Sequence, residues 1–152
     1  MRARDTVAAS DLRESRHVEV DMAKIKHIAI RTPDPEKTAA FYKDVFGLKE
    51  VGQARRGLYL SDGHINLAIL KTTDHNPDEQ PGVVGLDHFG FLVEDLDETC
   101  EKLKAAGATP VMSGPDVQHA PTTGARSYYE LKYRGPDDQV FDVTTSGWIG
   151  TD

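Results

Sequence analysis

The sequence predicts an α+β fold in which two tandem βαβββ modules form an eight-stranded, half-open cup. Two observations support this prediction. The pattern of one strand, one helix and three shorter strands occurs twice along the chain. In addition, His27-Ile28-Ala29-Ile30 resembles His88-Phe89-Gly90-Phe91, which lies 61 residues later, and Asp34 falls on Asp95 at the same offset. An internal duplication of this kind indicates a pseudo-symmetric fold with functional groups at equivalent places.

The first module is expected at about residues 24–70. Lys24–Arg31 alternates in the manner of a half-buried strand. The segment Glu36–Phe46 is amphipathic, follows an Asp-Pro start signal and stops at Gly47, so it is expected to be a helix. The remaining strands of the module are expected near Leu48–Val51, Leu58–Leu60 and Ile65–Leu70.

The second module is expected at about residues 86–145, after a polar linker over 71–85. It opens with a strand at Leu86–Val93, and a helix over Leu96–Ala106 follows, with Asp95 as its cap and Gly107 at its end. Its further strands are expected near Thr109–Met112, Arg126–Tyr133 and Val140–Thr144. Residues 113–125, rich in Gly, Pro and Thr, are expected to form an irregular loop.

Outside the modules the chain lacks apolar periodicity. Residues 1–22 are interpreted as a flexible N-terminal arm, or as the result of a start codon placed too early, with Met22 as the original start. A single domain is expected over 23–148, with 149–152 as a tail.

Composition narrows the function classes. A length of 152 residues fits one domain. The formal net charge of −7 argues against nucleic acid as a partner, and no apolar run reaches the roughly 20 residues that span a bilayer. The first residues lack the apolar stretch of a secretory signal. Cys100 is the one cysteine, so no internal disulfide can form, and a cytoplasmic location is expected.

Strand alternation places four polar side chains on one face of the sheet. His27 lies opposite the apolar face of its strand, and His88 does the same in the second module. Asn66 and Asp142 occupy equivalent places in the last strand of each module. Since the helices need the apolar faces, these four side chains are expected on the concave side of the cup.

Two imidazoles, a carboxylate and an amide oxygen are suitable ligands for a divalent metal ion with open coordination positions. Such an ion binds and polarises a substrate oxygen. The alternative interpretation of a single strand histidine is a hydrogen-bonded structural residue. The repeated placement of His27 and His88, together with Asp142, favours metal binding.

Three segments resemble the vicinal-oxygen-chelate superfamily of glyoxalases, bleomycin-resistance proteins and extradiol dioxygenases. They are His27–Val51 with its Phe41-Tyr42-Lys43-Asp44-Val45-Phe46-Gly47-Leu48 motif, Gly85–Phe91, and Gly135–Asp142. The likeness covers about residues 24–145. It implies the eight-stranded cup and the ligand set His27, Asn66, His88 and Asp142 around a divalent Fe, Ni, Zn, Mn or Co ion.

Two departures from that pattern bear on the reaction. Asn66 stands where glyoxalases have Glu and epimerases have Gln, and a neutral amide is a weak ligand and no base. Asp142 replaces the usual Glu. Glyoxalase I activity is therefore disfavoured, and Asp142, Glu50 and Tyr129 are the residues proposed to take part in catalysis.

The resemblance leaves three functions open. The first is metal-dependent lyase, isomerase or epimerase chemistry on a small oxygenated metabolite, and the second is ring-cleaving dioxygenation. The third is a metal-free protein that binds a small molecule or antibiotic, as bleomycin-resistance proteins do. Exposed strand edges and a small core favour a homodimer in each case.

Overall fold

The computed structural model describes residues 21–72, 84–111 and 130–152. Within these ranges the chain forms one eight-stranded sheet and two α-helices. The elements, in chain order, are β1 (Lys24–Thr32), α1 (Pro35–Phe46), β2 (Lys49–Ala54), β3 (Gly57–Ser61), β4 (Asn66–Lys71), β5 (Gly85–Leu92), α2 (Leu96–Ala105), β6 (Thr109–Pro110), β7 (Glu130–Arg134) and β8 (Val140–Thr144).

The order of strands across the sheet is β2-β3-β4-β1-β5-β8-β7-β6. Within each half the first strand lies parallel to the last, β1 beside β4 and β5 beside β8. The two halves join where β1 pairs antiparallel with β5. The first strands of both modules therefore lie side by side at the centre, and the predicted α+β architecture of an eight-stranded open cup is confirmed.

Helix α2 begins at Leu96 as predicted, and helix α1 begins at Pro35, one residue before the predicted segment. The side chain of Asp34 accepts a hydrogen bond of 3.0 Å from the backbone N–H of Lys37, and that of Asp95 accepts one of 2.8 Å from Glu98. Helix α1 ends at Gly47, whose φ of 71° is a left-handed conformation that favours glycine. Each helix is thus fixed by its own cap directly after the first strand of its module.

The helix face of the sheet carries two apolar clusters. Helix α1 covers the first, in which Ala39, Leu58, Leu60 and Ile69 are buried. Helix α2 covers the second, which contains Val93, Tyr133 and Val143 with Phe91, Phe141 and Cys100 packed against them. The hydroxyl of Tyr133 lies 3.3 Å from Sγ of Cys100, so this cysteine packs against the second cluster. Because the apolar side chains of the strands pack under the helices, the polar side chains lie on the opposite face of the sheet.

Several predictions fall wholly or partly outside the described residues. These are the arm over residues 1–22 except its last two positions, most of the 71–85 linker, the 113–125 loop, and the first part of the strand predicted at Arg126–Tyr133. Strand β6 ends at Pro110, shorter than predicted. No helix in the described part of the chain is long and apolar enough to cross a membrane.

Candidate metal centre

The two predicted histidines meet at the centre of the sheet. His27 lies on β1 and His88 on β5, and their Nε2 atoms are 3.2 Å apart. Asp142 enters from β8, beside β5, and its Oδ2 lies 3.1 Å from Nε2 of His88. All three side chains are buried on the face away from the helices. Strand alternation predicted this face correctly for each of them.

The spacing of these atoms fits a bound divalent ion. The nitrogen and oxygen donors of His27, His88 and Asp142 all lie within 4.8 Å of one another. Neighbouring ligands at metal–ligand distances near 2.1 Å lie about 3.0–3.4 Å apart, which matches the two separations of 3.2 and 3.1 Å. Two imidazoles and one carboxylate are also a donor set that divalent transition metals accept.

The second nitrogen of each imidazole contacts an oxygen. Nδ1 of His27 lies 2.8 Å from Oδ1 of Asn66, and Nδ1 of His88 lies 2.5 Å from Oδ2 of Asp87. When Nδ1 donates its proton to an oxygen acceptor, the lone pair remains on Nε2. Both histidines therefore direct the ligating nitrogen toward the same point.

Asp87 reaches His88 because of a β-bulge. In the β1–β5 ladder Ala29 pairs with His88 and Ile30 with Leu86, so Asp87 is the extra residue. Its other oxygen, Oδ1, lies 3.4 Å from Nε of the buried Arg31. Regular alternation places Asp87 on the helix face, so this residue was not predicted to belong to the site. Its position directly before His88 was the only signal in the sequence.

The charges in the centre set the protonation of the metal-free site. Burial and the neighbouring His88 lower the pKa of His27 to about 4. Burial also disfavours the charged form of His88, but the hydrogen bonds that its ring N–H groups donate to Asp142 and Asp87 outweigh burial and raise the pKa of His88. The pKa of Asp142 is held below its usual range, against its burial, by His88 and by the ammonium group of Lys132, which contacts Oδ1.

Trp148 and Glu130, neither of which was predicted to belong to the site, also border the centre. The indole of Trp148 stacks on His27, with ring centroids 4.9 Å apart and planes at 3°. Its Nε1 donates a hydrogen bond of 3.1 Å to Oε2 of Glu130, the first residue of β7. The charge of Glu130 acts on His27, where it raises the pKa. Trp148 follows the last strand, where no periodicity indicates a direction.

The remaining predicted site residues differ in their placement. Asn66 is fully buried beside His27, with its amide oxygen directed at the imidazole. Glu50 pairs with Leu60 of the helix-side core, and its carboxylate binds Lys43 of α1 and Gln53 at 3.1 and 2.7 Å. The structure therefore does not bring Glu50 to the centre. Tyr129 lies outside the described residues and stays a prediction.

The profile of the Glyoxalase/Bleomycin resistance protein/Dioxygenase superfamily matches residues 24–141. The chain therefore belongs to this superfamily, as the sequence resemblance predicted. The chain is 30% identical over 113 residues to the uncharacterized protein YwkD of Bacillus subtilis. This match covers 69% of the chain and 85% of YwkD.

Two further relatives carry names that state an activity. One is a probable chloroplastic lactoylglutathione lyase of Arabidopsis thaliana, 27% identical over 78% of this chain and 38% of the relative. The other is glyoxalase I of Saccharomyces cerevisiae, 27% identical over 55% of this chain and 35% of the relative. The chain thus spans little more than a third of the length of either protein.

Solved structures with the same fold include three enzymes. A methylmalonyl-CoA epimerase of Streptomyces coelicolor superposes with a TM-score of 0.62 at 19% identity, covering 83% of this chain and 99% of that one. The 2,3-dioxygenase LapB of Pseudomonas sp. KL28 gives 0.61 at 20%, covering 84% and 42%. The Mn(II)-bound glyoxalase of Novosphingobium aromaticivorans gives 0.57 at 20%, covering 86% and 42%. These likenesses establish the fold.

Proposed function

We propose that this chain is a divalent-metal-dependent enzyme acting on a small oxygenated metabolite, with His27, His88 and Asp142 as the metal ligands. The observation that carries the proposal is the convergence of three buried donor atoms within 4.8 Å. The histidine nitrogens that face away from this point bind Asn66 and Asp87. A purely structural histidine pair has no need of this common orientation. The relatives named probable lactoylglutathione lyase and glyoxalase I, together with the epimerase and the dioxygenase of the same fold, support the class.

The residues of the centre have separate parts in this proposal. A bound divalent ion supplies Lewis-acid polarisation of a substrate oxygen. Asp87 and Asn66 orient the two imidazoles, and in the metal-free protein Lys132 contacts the carboxylate of Asp142 and keeps it ionised. The apolar core behind the sheet keeps water from the rear of the site. Three protein donors leave positions free for the oxygens of a substrate.

Glu130 is the residue we propose for proton transfer. The proposed chemistry needs a base. Asn66 cannot be this base because it has no ionisable group, and Glu50 cannot because its carboxylate lies on the helix side. The carboxylate of Glu130 accepts a hydrogen bond from Trp148, which stacks on His27. This carboxylate is half-buried, and its negative charge raises the pKa of His27. A Glu130→Gln variant that keeps its metal and loses activity at least 100-fold would support this role, since general bases contribute about 10²–10⁴-fold.

Metal content tests the proposal directly. Tag-free protein is dialysed, and bound metals are measured by mass spectrometry, for wild type, His88→Ala and Asp44→Ala. Asp44 is the control because it is an exposed carboxylate on α1, outside the cluster. We expect near-stoichiometric metal in wild type and in the control, and loss of metal in His88→Ala. If neither wild type nor control binds metal after loading, the metal-free small-molecule or antibiotic-binding alternative replaces the enzyme proposal.

Ring-cleaving dioxygenation is the second candidate. The observation in its favour is that the amide oxygen of Asn66 is directed at His27, which leaves two histidines and one carboxylate. This set with open positions is typical of non-haem Fe(II) oxygenases. Oxygen consumption by the Fe(II)-loaded protein in the presence of catechols tests it. Activity with Ni, Co, Mn or Zn and no oxygen uptake favours the lyase, isomerase or epimerase class.

A homodimer in the cytoplasm is part of the proposal. The dimer is supported by the apolar side chains of Phe41, Val45 and Phe46, which are more than half exposed on α1. Light scattering after gel filtration measures the mass against the 16.7 kDa of one chain. A mass of one chain across a range of concentrations would contradict the dimer without affecting the proposed metal site.

A further inference from the structure

We propose that the C-terminal segment Trp148–Asp152, called here the clasp, fixes the metal-binding orientation of His27, with Trp148 and Asn66 as positioning residues. The clasp is fastened to the concave face of the first module by backbone and side-chain contacts. The hydroxyl of Ser61 donates to the carbonyl of Gly150 at 2.6 Å, and the N–H of Asp152 donates to the carbonyl of Gly63 at 3.1 Å. The carboxylate of Asp152 also binds Lys26.

The clasp fixes the plane of the His27 imidazole. The indole of Trp148 lies flat on His27, at 3° and 4.9 Å between centroids, and is itself buried. Nε1 of Trp148 is held by Glu130. A Cβ atom on Gly90 would lie 2.5 Å from the indole, so only glycine at this position allows such a close approach. The ring of His27 is therefore held in one plane by the clasp.

The clasp also determines which nitrogen of the His27 imidazole carries the proton. The carbonyl of Ile149 in the clasp can only accept a hydrogen bond, so the atom of Asn66 that contacts it at 2.9 Å is the amide nitrogen. The amide oxygen of Asn66 must then face Nδ1 of His27, at 2.8 Å. An acceptor at Nδ1 requires the proton on Nδ1 and leaves the lone pair on Nε2. The backbone of the clasp thus selects the tautomer of His27.

This chain of contacts gives Asn66 a role different from the one implied by the resemblance. Its amide oxygen accepts a hydrogen bond from Nδ1 of His27, and its amide nitrogen donates one to the carbonyl of Ile149. With both groups used in this way, Asn66 positions a ligand and is not itself a donor to the metal. The tautomer is set in the metal-free protein, so this part of the inference holds apart from the proposed enzymatic function. Only its effect on metal affinity rests on that function.

Nuclear magnetic resonance of the metal-free protein tests the tautomer. Long-range ¹H–¹⁵N correlation spectra of histidine side chains distinguish Nδ1–H from Nε2–H, and a His27→Gln variant assigns the His27 signals. We expect wild-type His27 as the Nδ1–H tautomer. In Asn66→Ala, which removes the acceptor, we expect a shift of the population toward Nε2–H. An unchanged His27 spectrum in a folded Asn66→Ala protein would overturn the inference, because a residue that only ligates metal has no effect on this tautomer.

Zinc affinity tests the effect of the clasp on the centre. Zinc ion alone is the probe, and Kd is measured by competition with a chromophoric chelator for wild type, Trp148→Phe, Trp148→Ala and Asn66→Ala. Loss of an outer partner of a ligating histidine typically weakens metal binding about 10–100-fold. We expect this loss in Trp148→Ala and Asn66→Ala and less than a 3-fold change in Trp148→Phe, which keeps a stacking ring.

Two results of the zinc experiment separate the inference from the proposed function. Equal zinc affinity in wild type and both alanine variants would contradict a positioning role. No zinc binding by wild type would contradict the proposed metal site, while the tautomer spectra would still decide the role of the clasp. Circular dichroism of each variant verifies the fold. If Trp148→Ala does not fold, a change in zinc affinity of less than 3-fold in Trp148→Phe supports the stacking role, and a larger loss contradicts it.

Discussion

Asp87 and His88 are consecutive residues of one strand, yet Oδ2 of Asp87 lies 2.5 Å from Nδ1 of His88. Neighbours in a regular strand point to opposite faces. The bulge opposite Ala29 and Ile30 removes this restriction and turns the carboxylate toward the imidazole. Arg31, on the neighbouring strand, lies on the other side of the carboxylate. The bulge thus joins Arg31, Asp87 and His88 in a chain of side-chain contacts, called here the relay, that ends at the candidate metal centre.

The relay predicts a weaker metal site when Asp87 is removed. In Asp87→Ala the imidazole of His88 loses the partner that fixes its orientation and raises its basicity, so we expect zinc affinity to fall about 10–100-fold. Asp87→Asn keeps an oxygen acceptor and should lose less. Asp44→Ala, an exposed site on α1 that removes the same charge, is the control. Equal affinities of Asp87→Ala and the control, measured by chelator competition, would show that the relay has no effect on the metal.

The low pKa of His27 predicts that the metal-free protein loses stability at acidic pH. Its pKa is about 4 in the folded state against an ordinary value of 6.5, mainly because of burial. Between these values the unfolded chain binds a proton that the folded chain does not, so the free energy of unfolding decreases as pH falls from 6.5 to 4. The expected contribution is about 3 kcal/mol across this window.

The measurement is urea unfolding of metal-free wild type and His27→Gln at several pH values. The variant has no group to protonate at this position, so its stability should decline less steeply over the acidic window. His88 acts in the opposite direction at higher pH, because its raised pKa gives stability that is lost as pH rises through the folded value. Parallel pH profiles for wild type and variant would refute the assignment to His27.

Lys132 predicts opposite effects on the metal-free and metal-bound states. Its ammonium group contacts Oδ1 of the buried Asp142. Lys132→Met removes this partner and should destabilise the metal-free protein by about 1–3 kcal/mol, the cost of a buried polar group that loses a hydrogen bond. The same change removes a positive charge beside the site and should tighten zinc binding several-fold.

Lys102→Met is the matched control for this variant. It removes the same charge from an exposed i,i+4 pair with Glu98, both side chains being more than 60% exposed. Such surface pairs contribute less than about 1 kcal/mol. Thermal unfolding with and without zinc should therefore show a larger zinc-induced rise of Tm for Lys132→Met than for wild type or Lys102→Met. A smaller rise would mean that Lys132 supports the bound metal.

Regular alternation predicted the faces of four side chains, and the internal repeat together with the family resemblance predicted the fold. His27, His88, Asn66 and Asp142 lie on strands β1, β5, β4 and β8, where period-two patterns are clear, and the structure has all four on the face away from the helices. The caps at Asp34 and Asp95 likewise follow from local hydrogen bonding. These features depend on short-range rules that the sequence displays directly.

The rest depended on features that alternation does not encode. Asp87 reaches the centre through a bulge, which shifts the register by one residue. A register shift also occurs in the ladder of β2 with β3 after Glu50, whose partner Leu60 belongs to the helix-side core. Trp148 lies beyond the last strand, where its direction is set by tertiary contacts with His27 and Glu130. Such contacts join residues far apart in the chain and have no local signature.

The close approach of Trp148 to Gly90 gives a prediction that isolates this tertiary contact. In Gly90→Ala the new Cβ would lie 2.5 Å from the indole and 3.1 Å from Cβ of His27, so the indole must move. We expect a loss of about 1–3 kcal/mol in the free energy of unfolding, which is typical of overpacking. The emission of Trp148, the one tryptophan in the chain, should also change because the indole leaves its stack.

A double-mutant cycle with Trp148→Ala assigns the cost to this contact. In the Trp148→Ala background the added methyl group meets empty space where the indole stood, so Gly90→Ala should cost less than about 1 kcal/mol there. The difference between the two backgrounds is the coupling energy, obtained from urea unfolding of the four proteins. Additive costs would mean that the strain arises at the backbone or at His27, and that the indole does not depend on the glycine for its place on the imidazole.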